Sequence, residues 1–137
     1  MTIQETNRST ASSVEVHAVQ DHLHLIDMDH IQVYAGNAKQ AAFFYATAYG
    51  FDIAQVNDLT TGNRDEASWL LTQGNIRLVL TSGLTEDHPA ASHVKRFGDG
   101  VKTMAFTVFD AEKAFAKAVK NGAEVAYEPF ETTDETG

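Results

Sequence analysis

Gly36-Asn37-Ala38-Lys39-Gln40-Ala41-Ala42-Phe43-Phe44-Tyr45-Ala46-Thr47-Ala48-Tyr49-Gly50-Phe51 holds a helix start, a helical period and a helix stop in one run, and its reading decides the fold. The Asn37 side chain suits the cap of a helix, and Gln40 stands three residues on, where a capping box places Glu or Gln. Ala41, Phe44, Tyr45 and Ala48 recur at i, i+3, i+4 and i+7, which predicts a buried helical stripe. Gly50 supplies the left-handed residue that ends such a helix. Just upstream, His30 to Ala35 alternates and reads as a strand closed by Gly36. A strand therefore feeds a helix.

Three further strands are predicted downstream, over Phe51 to Val56, Ala67 to Thr72 and Ile76 to Thr81, separated by the turn clusters Asn57-Asp58, Thr61-Gly62-Asn63 and Gln73-Gly74-Asn75. The order is β-α-β-β-β. A polar connector, Leu84 to Gly100, carries a short helix around Ala90 to Phe97, and then the opening pattern returns. Val101 to Phe109 reads as a strand, Asp110 as a cap, and Ala111, Ala114, Phe115 and Ala118 as an apolar stripe ended by Gly122. Asn37 and Asp110 hold equivalent places 73 residues apart (110 − 37), so the chain contains an internal repeat. The fold class is α+β, with tandem βαβββ modules. Residues 1–20 form a tail too polar to order itself, 21–100 a first module plus connector, and 101–137 the start of a second. That second unit has Val125 to Phe130 as its next strand and lacks about two more. Such a module leaves a sheet edge and an apolar face open, which implies a longer parent chain or a partner over the gap.

The formal charge of −9 and the pI near 4.9 argue against nucleic acid or an anionic membrane surface as a partner. Cysteine is absent, which removes disulfides, thiolate metal sites and a cysteine nucleophile. No apolar run approaches the roughly 20 residues of a membrane span, and the polar start MTIQETNRSTASS has no signal-peptide core. The cytoplasm is the expected location.

The duplicated unit resembles the vicinal oxygen chelate superfamily and, within it, the amino-terminal domain of the 4-hydroxyphenylpyruvate dioxygenase family. The likeness rests on Gly36-Asn37-Ala38-Lys39-Gln40-Ala41-Ala42, on Phe44-Tyr45 and on Gly50-Phe51. Asn63-Arg64, Ala67-Ser68, Leu78-Val79-Leu80-Thr81-Ser82, Gly98-Asp99-Gly100-Val101 and Tyr127-Glu128-Pro129 support it. The resemblance implies a parent enzyme that uses Fe(II) and O2 to turn the 2-oxo acid 4-hydroxyphenylpyruvate into homogentisate in tyrosine breakdown. It implies an iron held by two His and one Glu in a carboxy-terminal domain outside this sequence. It also implies that this chain carries no catalytic, cofactor-binding or metal-binding residue, binds no iron itself, and meets that domain within a homo-oligomer. Asp87-His88-Pro89-Ala90-Ala91 and Gly98-Asp99-Gly100 look equally like the sister enzyme that makes 4-hydroxymandelate. A stand-alone binding protein of the bleomycin-resistance or glyoxalase type is the remaining alternative.

Read for chemistry, the residues offer little. A facial-triad metal needs two imidazoles and a carboxylate on one point, and His30, at the head of the first strand, is a lone imidazole that reads as a hydrogen-bonded core histidine. His22 and His24 share one face of an extended segment without a third ligand. His88 and His93 lie five apart, do not share a helical face and read as surface residues. Gly98-Asp99-Gly100 leads into a strand, unlike a phosphate loop. No serine stands in a nucleophile elbow. Asp65-Glu66 reads as a solvated turn, and Lys113, Lys117 and Lys120 as a solvated stripe. Phe43, Phe44, Tyr45, Tyr49 and Phe51 wrap more than one side of their helix, so at least one should meet another surface.

Overall fold

The computed structural model describes residues 23–132. The expected tail, residues 1–20, lies outside the described residues, as does His22. The elements are β1 (Leu25–Tyr34), α1 (Ala38–Tyr49), β2 (Asp52–Asn57), β3 (Glu66–Gln73), β4 (Ile76–Gly83), α2 (Pro89–Phe97), β5 (Gly100–Val108) and α3 (Ala111–Lys120), with a 3-10 turn at Leu59–Thr61. They form one five-stranded sheet in the order β2-β3-β4-β1-β5.

The α1 termini follow the chemistry of their residues. Asn37 Oδ1 accepts the Gln40 amide at 3.0 Å, and Gly50, at φ 76°, returns its amide to the carbonyl of Ala46. The buried face differs from the predicted stripe. Ala38 and Ala42 are the fully buried residues, with Ala41 and Tyr45 packed beside them, whereas Phe44 is 57 % exposed and Ala48 is on the surface. The stripe thus begins one turn earlier than predicted. Alanines let the helix axis approach the sheet closely, and the large rings of Phe44 and Tyr49 are pushed to the rim, where they meet edge to face at 5.9 Å. Against the alanines pack Trp69, Leu71 and Leu80, with Val33, Phe51, Ile53, Val56 and Leu78 around them. The core therefore belongs to the first module.

β1 runs parallel to β4, with Ile31 opposite Leu78, and antiparallel to β5. The β1–β5 ladder gives the repeat a geometric meaning. His30 pairs with Ala105, Ile31 with Met104 and Gln32 with Thr103. Ile31 and Met104 are 73 apart (104 − 31), the same offset as the caps Asn37 and Asp110. Ile31 thus pairs with its own repeat equivalent, and the flanking pairs exchange under the same shift. A pseudo-two-fold axis therefore passes through that pair. On one side of it β1 has β4 as a parallel neighbour; on the other, β5 has no second neighbour among the described residues.

This explains a correction. The strand predicted over Val125 to Phe130 does not form; the segment is a bend at Ala126–Tyr127 in otherwise irregular chain, with Val125 46 % and Phe130 77 % exposed. Its counterpart β2 is held in the sheet only by β3. No described residue supplies an equivalent of β3, and Pro129 lacks an amide to donate, so the segment has no ladder to join. α3 keeps its cap, Asp110 Oδ1 accepting the Lys113 amide at 3.0 Å, but none of its residues is fully buried.

One buried hydroxyl fastens the β1–α1 turn to β4. Ser82 Oγ accepts the Ala38 amide at 2.6 Å and donates to the Ala35 carbonyl at 2.7 Å. Ser82→Ala leaves both backbone groups unpaired and costs about 1–3 kcal/mol. Urea denaturation should show that loss with an unchanged slope.

Candidate functional site

The face of the sheet opposite α1 is polar where the other is apolar. Along β1, Val33 turns toward the core, so Gln32 and Tyr34 belong to the opposite face. The same alternation puts Thr81 of β4 and Glu66 and Ser68 of β3 there. These groups are wired in series. Gln32 Nε2 donates to Thr81 Oγ1 at 3.2 Å, Ser68 Oγ lies 3.0 Å from Thr81 Oγ1, and Ser68 Oγ donates to Glu66 Oε1 at 3.1 Å. The second Glu66 oxygen, Oε2, faces His88 Nε2 at 3.2 Å. Thr81 is fully buried, and Gln32 and Ser68 keep its hydroxyl satisfied.

His88 closes the series at the first turn of α2. Its Nδ1 accepts the Ala90 amide at 3.1 Å, which makes it the helix cap, and Pro89 follows at the position where a missing amide costs nothing. Further along α2, His93 meets the Tyr34 ring edge to face at 5.5 Å. Burial, and then the Glu66 carboxylate, hold the Tyr34 phenol above its ordinary pKa. Both histidines are half-buried, so the surface reading of His88 and His93 is corrected. Glu66 opens β3 and faces the polar series, which corrects the solvated-turn reading for Glu66, while Asp65 lies exposed in the bend as expected. Spacing along the chain hid both, since the partners come from elements 22 residues apart (88 − 66). A histidine directly before Pro89, where a cap belongs, was the available signal.

His30 lies inside β1, not at its head. Its Nδ1 is 2.7 Å from Asp29 Oδ2, and Arg77 NH1 is 3.2 Å from Asp29 Oδ1. The hydrogen bond from His30, then the positive charges of His30 and Arg77, hold the Asp29 carboxyl below the usual range. His24 precedes β1 at φ 51°. Among the described residues no three His, Asp or Glu side chains come together as a metal would require. A facial triad does not fit this donor set: Glu66 and His88 are joined to each other and to hydroxyl and backbone partners, and His30 has only Asp29 beside it. Below Gln55 and Asn57 a shallow groove of about 230 Å³ runs along Ser68, Leu70 and Val79. No helix among the described residues is long and apolar enough to cross a membrane.

A family model described as the Glyoxalase/Bleomycin resistance protein/Dioxygenase superfamily matches residues 27–137. The chain is similar to proteins named 4-hydroxyphenylpyruvate dioxygenase. It is 43 % identical over 110 residues to that of Dictyostelium discoideum, covering 80 % of this chain and 30 % of the relative. It is 40 % identical over 122 residues to that of Coccidioides posadasii, covering 80 % and 31 %. It thus spans about a third of the length of the curated relatives it matches. Among solved structures, a variant of 4-hydroxymandelate synthase from Streptomyces coelicolor superposes with a TM-score of 0.72 at 32 % identity, covering 77 % of this chain and 32 % of that one. Methylmalonyl-CoA epimerase from Mycobacterium tuberculosis, at 18 % identity and a TM-score of 0.66, shares the fold.

Proposed function

The chain belongs to the Glyoxalase/Bleomycin resistance protein/Dioxygenase superfamily, and from that membership we propose that it is the amino-terminal, bracing part of an Fe(II)-dependent dioxygenase that converts 4-hydroxyphenylpyruvate to homogentisate. The observation that carries the reading is the pseudo-two-fold pair Ile31–Met104 together with the open outer edge of β5. A first module with a complete sheet and core is followed by a second that, among the described residues, has its first strand and helix only. The curated relatives supply the activity by name, and their greater length fits a remainder that completes the sheet and carries the iron.

In this reading residues 21–100 are the first module with its connector, and 101–137 begin the second. The chain's own polar series is a structural brace. No residue of this chain ligates the iron or touches the reacting atoms. Its partner is the carboxy-terminal catalytic domain of the same protein within a homo-oligomer, and a cytoplasmic setting goes with the metabolic role. The structural likeness to 4-hydroxymandelate synthase supports a second reading, in which the same brace serves that enzyme and the product is chosen elsewhere in the polypeptide.

An oxygen electrode tests the proposal. The 137-residue chain, supplied with Fe(II), ascorbate and 4-hydroxyphenylpyruvate, should consume no O2 above the protein-free rate, while a full-length relative under the same conditions turns over. Sustained, substrate-dependent uptake by the chain alone overturns it.

A further inference from the structure

We propose that His88 is a proton-operated latch, which in its neutral form caps the first turn of α2 beside β3 and on protonation gives up that cap. The inference rests on the two opposite demands made on one ring. At Nδ1 the ring accepts the Ala90 amide at 3.1 Å, so that nitrogen must be unprotonated. The neutral ring therefore carries its hydrogen at Nε2, which lies 3.2 Å from Glu66 Oε2. The cap at Nδ1 selects that single tautomer.

The backbone makes room for this ring. A Cβ placed on Gly83 would stand 2.7 Å from His88 Cβ and 2.9 Å from its Nδ1, so the close approach of β4 to the latch requires glycine there. Ala90, directly after the latch, is fully buried, so α2 is seated at the point where it is tied.

Adding a proton to Nδ1 turns the cap's acceptor into a donor that opposes the Ala90 amide and the positive end of the helix. The Nε2 side behaves oppositely, because the imidazolium is drawn to the Glu66 carboxylate. Protonation therefore exchanges a capped helix for an ion pair, with Nε2 already 3.2 Å from Glu66 Oε2. The other titratable groups around it set the field for that exchange. Tyr34 on β1 lies close enough to Glu66 to be influenced by it, Glu86 and Asp87 precede the ring in the chain, and His93 follows on α2 against Tyr34.

Two measurements on the full chain decide the matter. Nitrogen-detected NMR of the imidazole at pH 8 should show the Nε2–H tautomer for His88; the Nδ1–H tautomer overturns the latch. Amide exchange at Ala90 and Ala91, corrected for the intrinsic pH dependence, should lose protection by about five-fold between pH 8 and pH 5.5, the size of losing an ordinary helix cap. His88→Asn keeps a capping oxygen but cannot titrate, and its exchange should not vary with pH after the same correction. Equal protection of the unmodified chain at both pH values, or the same loss in His88→Asn, overturns the proposal.

Discussion

Leu71→Ala and Leu80→Ala should each lower the free energy of unfolding by about 3–5 kcal/mol, as expected for deleting a fully enclosed leucine. Both side chains have no exposed surface, and both lie in the layer where Trp69 and the alanines of α1 meet the sheet. The effect is large because the core is small. Its fully buried side chains of any size are Leu71, Leu80 and Thr81, and all belong to the first module. Neighbours cannot collapse into the space, since Ala38 and Ala42 are already the smallest side chains that keep α1 a good helix. Against a total stability of about 5–15 kcal/mol for an ordinary domain, either change removes a sizeable fraction. Phe109→Ala is the contrast. That ring is 84 % exposed, and its removal should shift the midpoint by no more than about 0.5 kcal/mol. Chemical denaturation followed by Trp69 fluorescence reads all three.

The second large effect concerns association. Among the described residues β5 is paired along one side only, and Val101, Met104 and Phe106 are 58, 58 and 48 % exposed. Phe109, Tyr127 and Phe130, later in the chain, are also exposed, at 84, 81 and 77 %. An unpaired strand with apolar neighbours recruits other chains. The chain alone should therefore associate as its concentration rises, and the double substitution Met104→Lys with Phe106→Lys should weaken that association by about tenfold or more, since charge on an edge strand opposes pairing. Sedimentation equilibrium measures it. Unchanged association in the double variant would move the interface to another face, such as the rim of Phe43, Phe44 and Tyr49 on α1.

Local signals carried most of the architecture. Asn37, Asp110 and Gly50 each do in the structure what their residue type suggests, because caps and stops depend on a few neighbouring backbone groups. The offset between Asn37 and Asp110 anticipated the Ile31–Met104 pair, since a repeat in sequence becomes a rotation in space. Two kinds of information were not local. Which face of α1 is buried depended on how closely the helix approaches the sheet, and the alanines won over Phe44 because a ring there holds the helix away. The series Gln32, Thr81, Ser68, Glu66 and His88 draws on four separate elements, and no spacing in the chain signals that they meet. The strand expected over Val125 to Phe130 failed for a related reason: its pattern was adequate, but a strand exists only with a neighbour, and pattern cannot supply one.

The central claim, that β5 is the open edge of a sheet completed by the rest of a longer polypeptide, is tested most directly by amide exchange along β5, residue by residue. In the 137-residue chain at low concentration, amides of β5 that point toward β1 should be protected and those that point away should exchange freely. When the chain is joined to the further sequence that the longer relatives have, the outward amides should become protected as well, along with those of α3. Outward amides already protected in a monodisperse monomer of the chain alone would contradict the account, because the edge would then be closed without any partner.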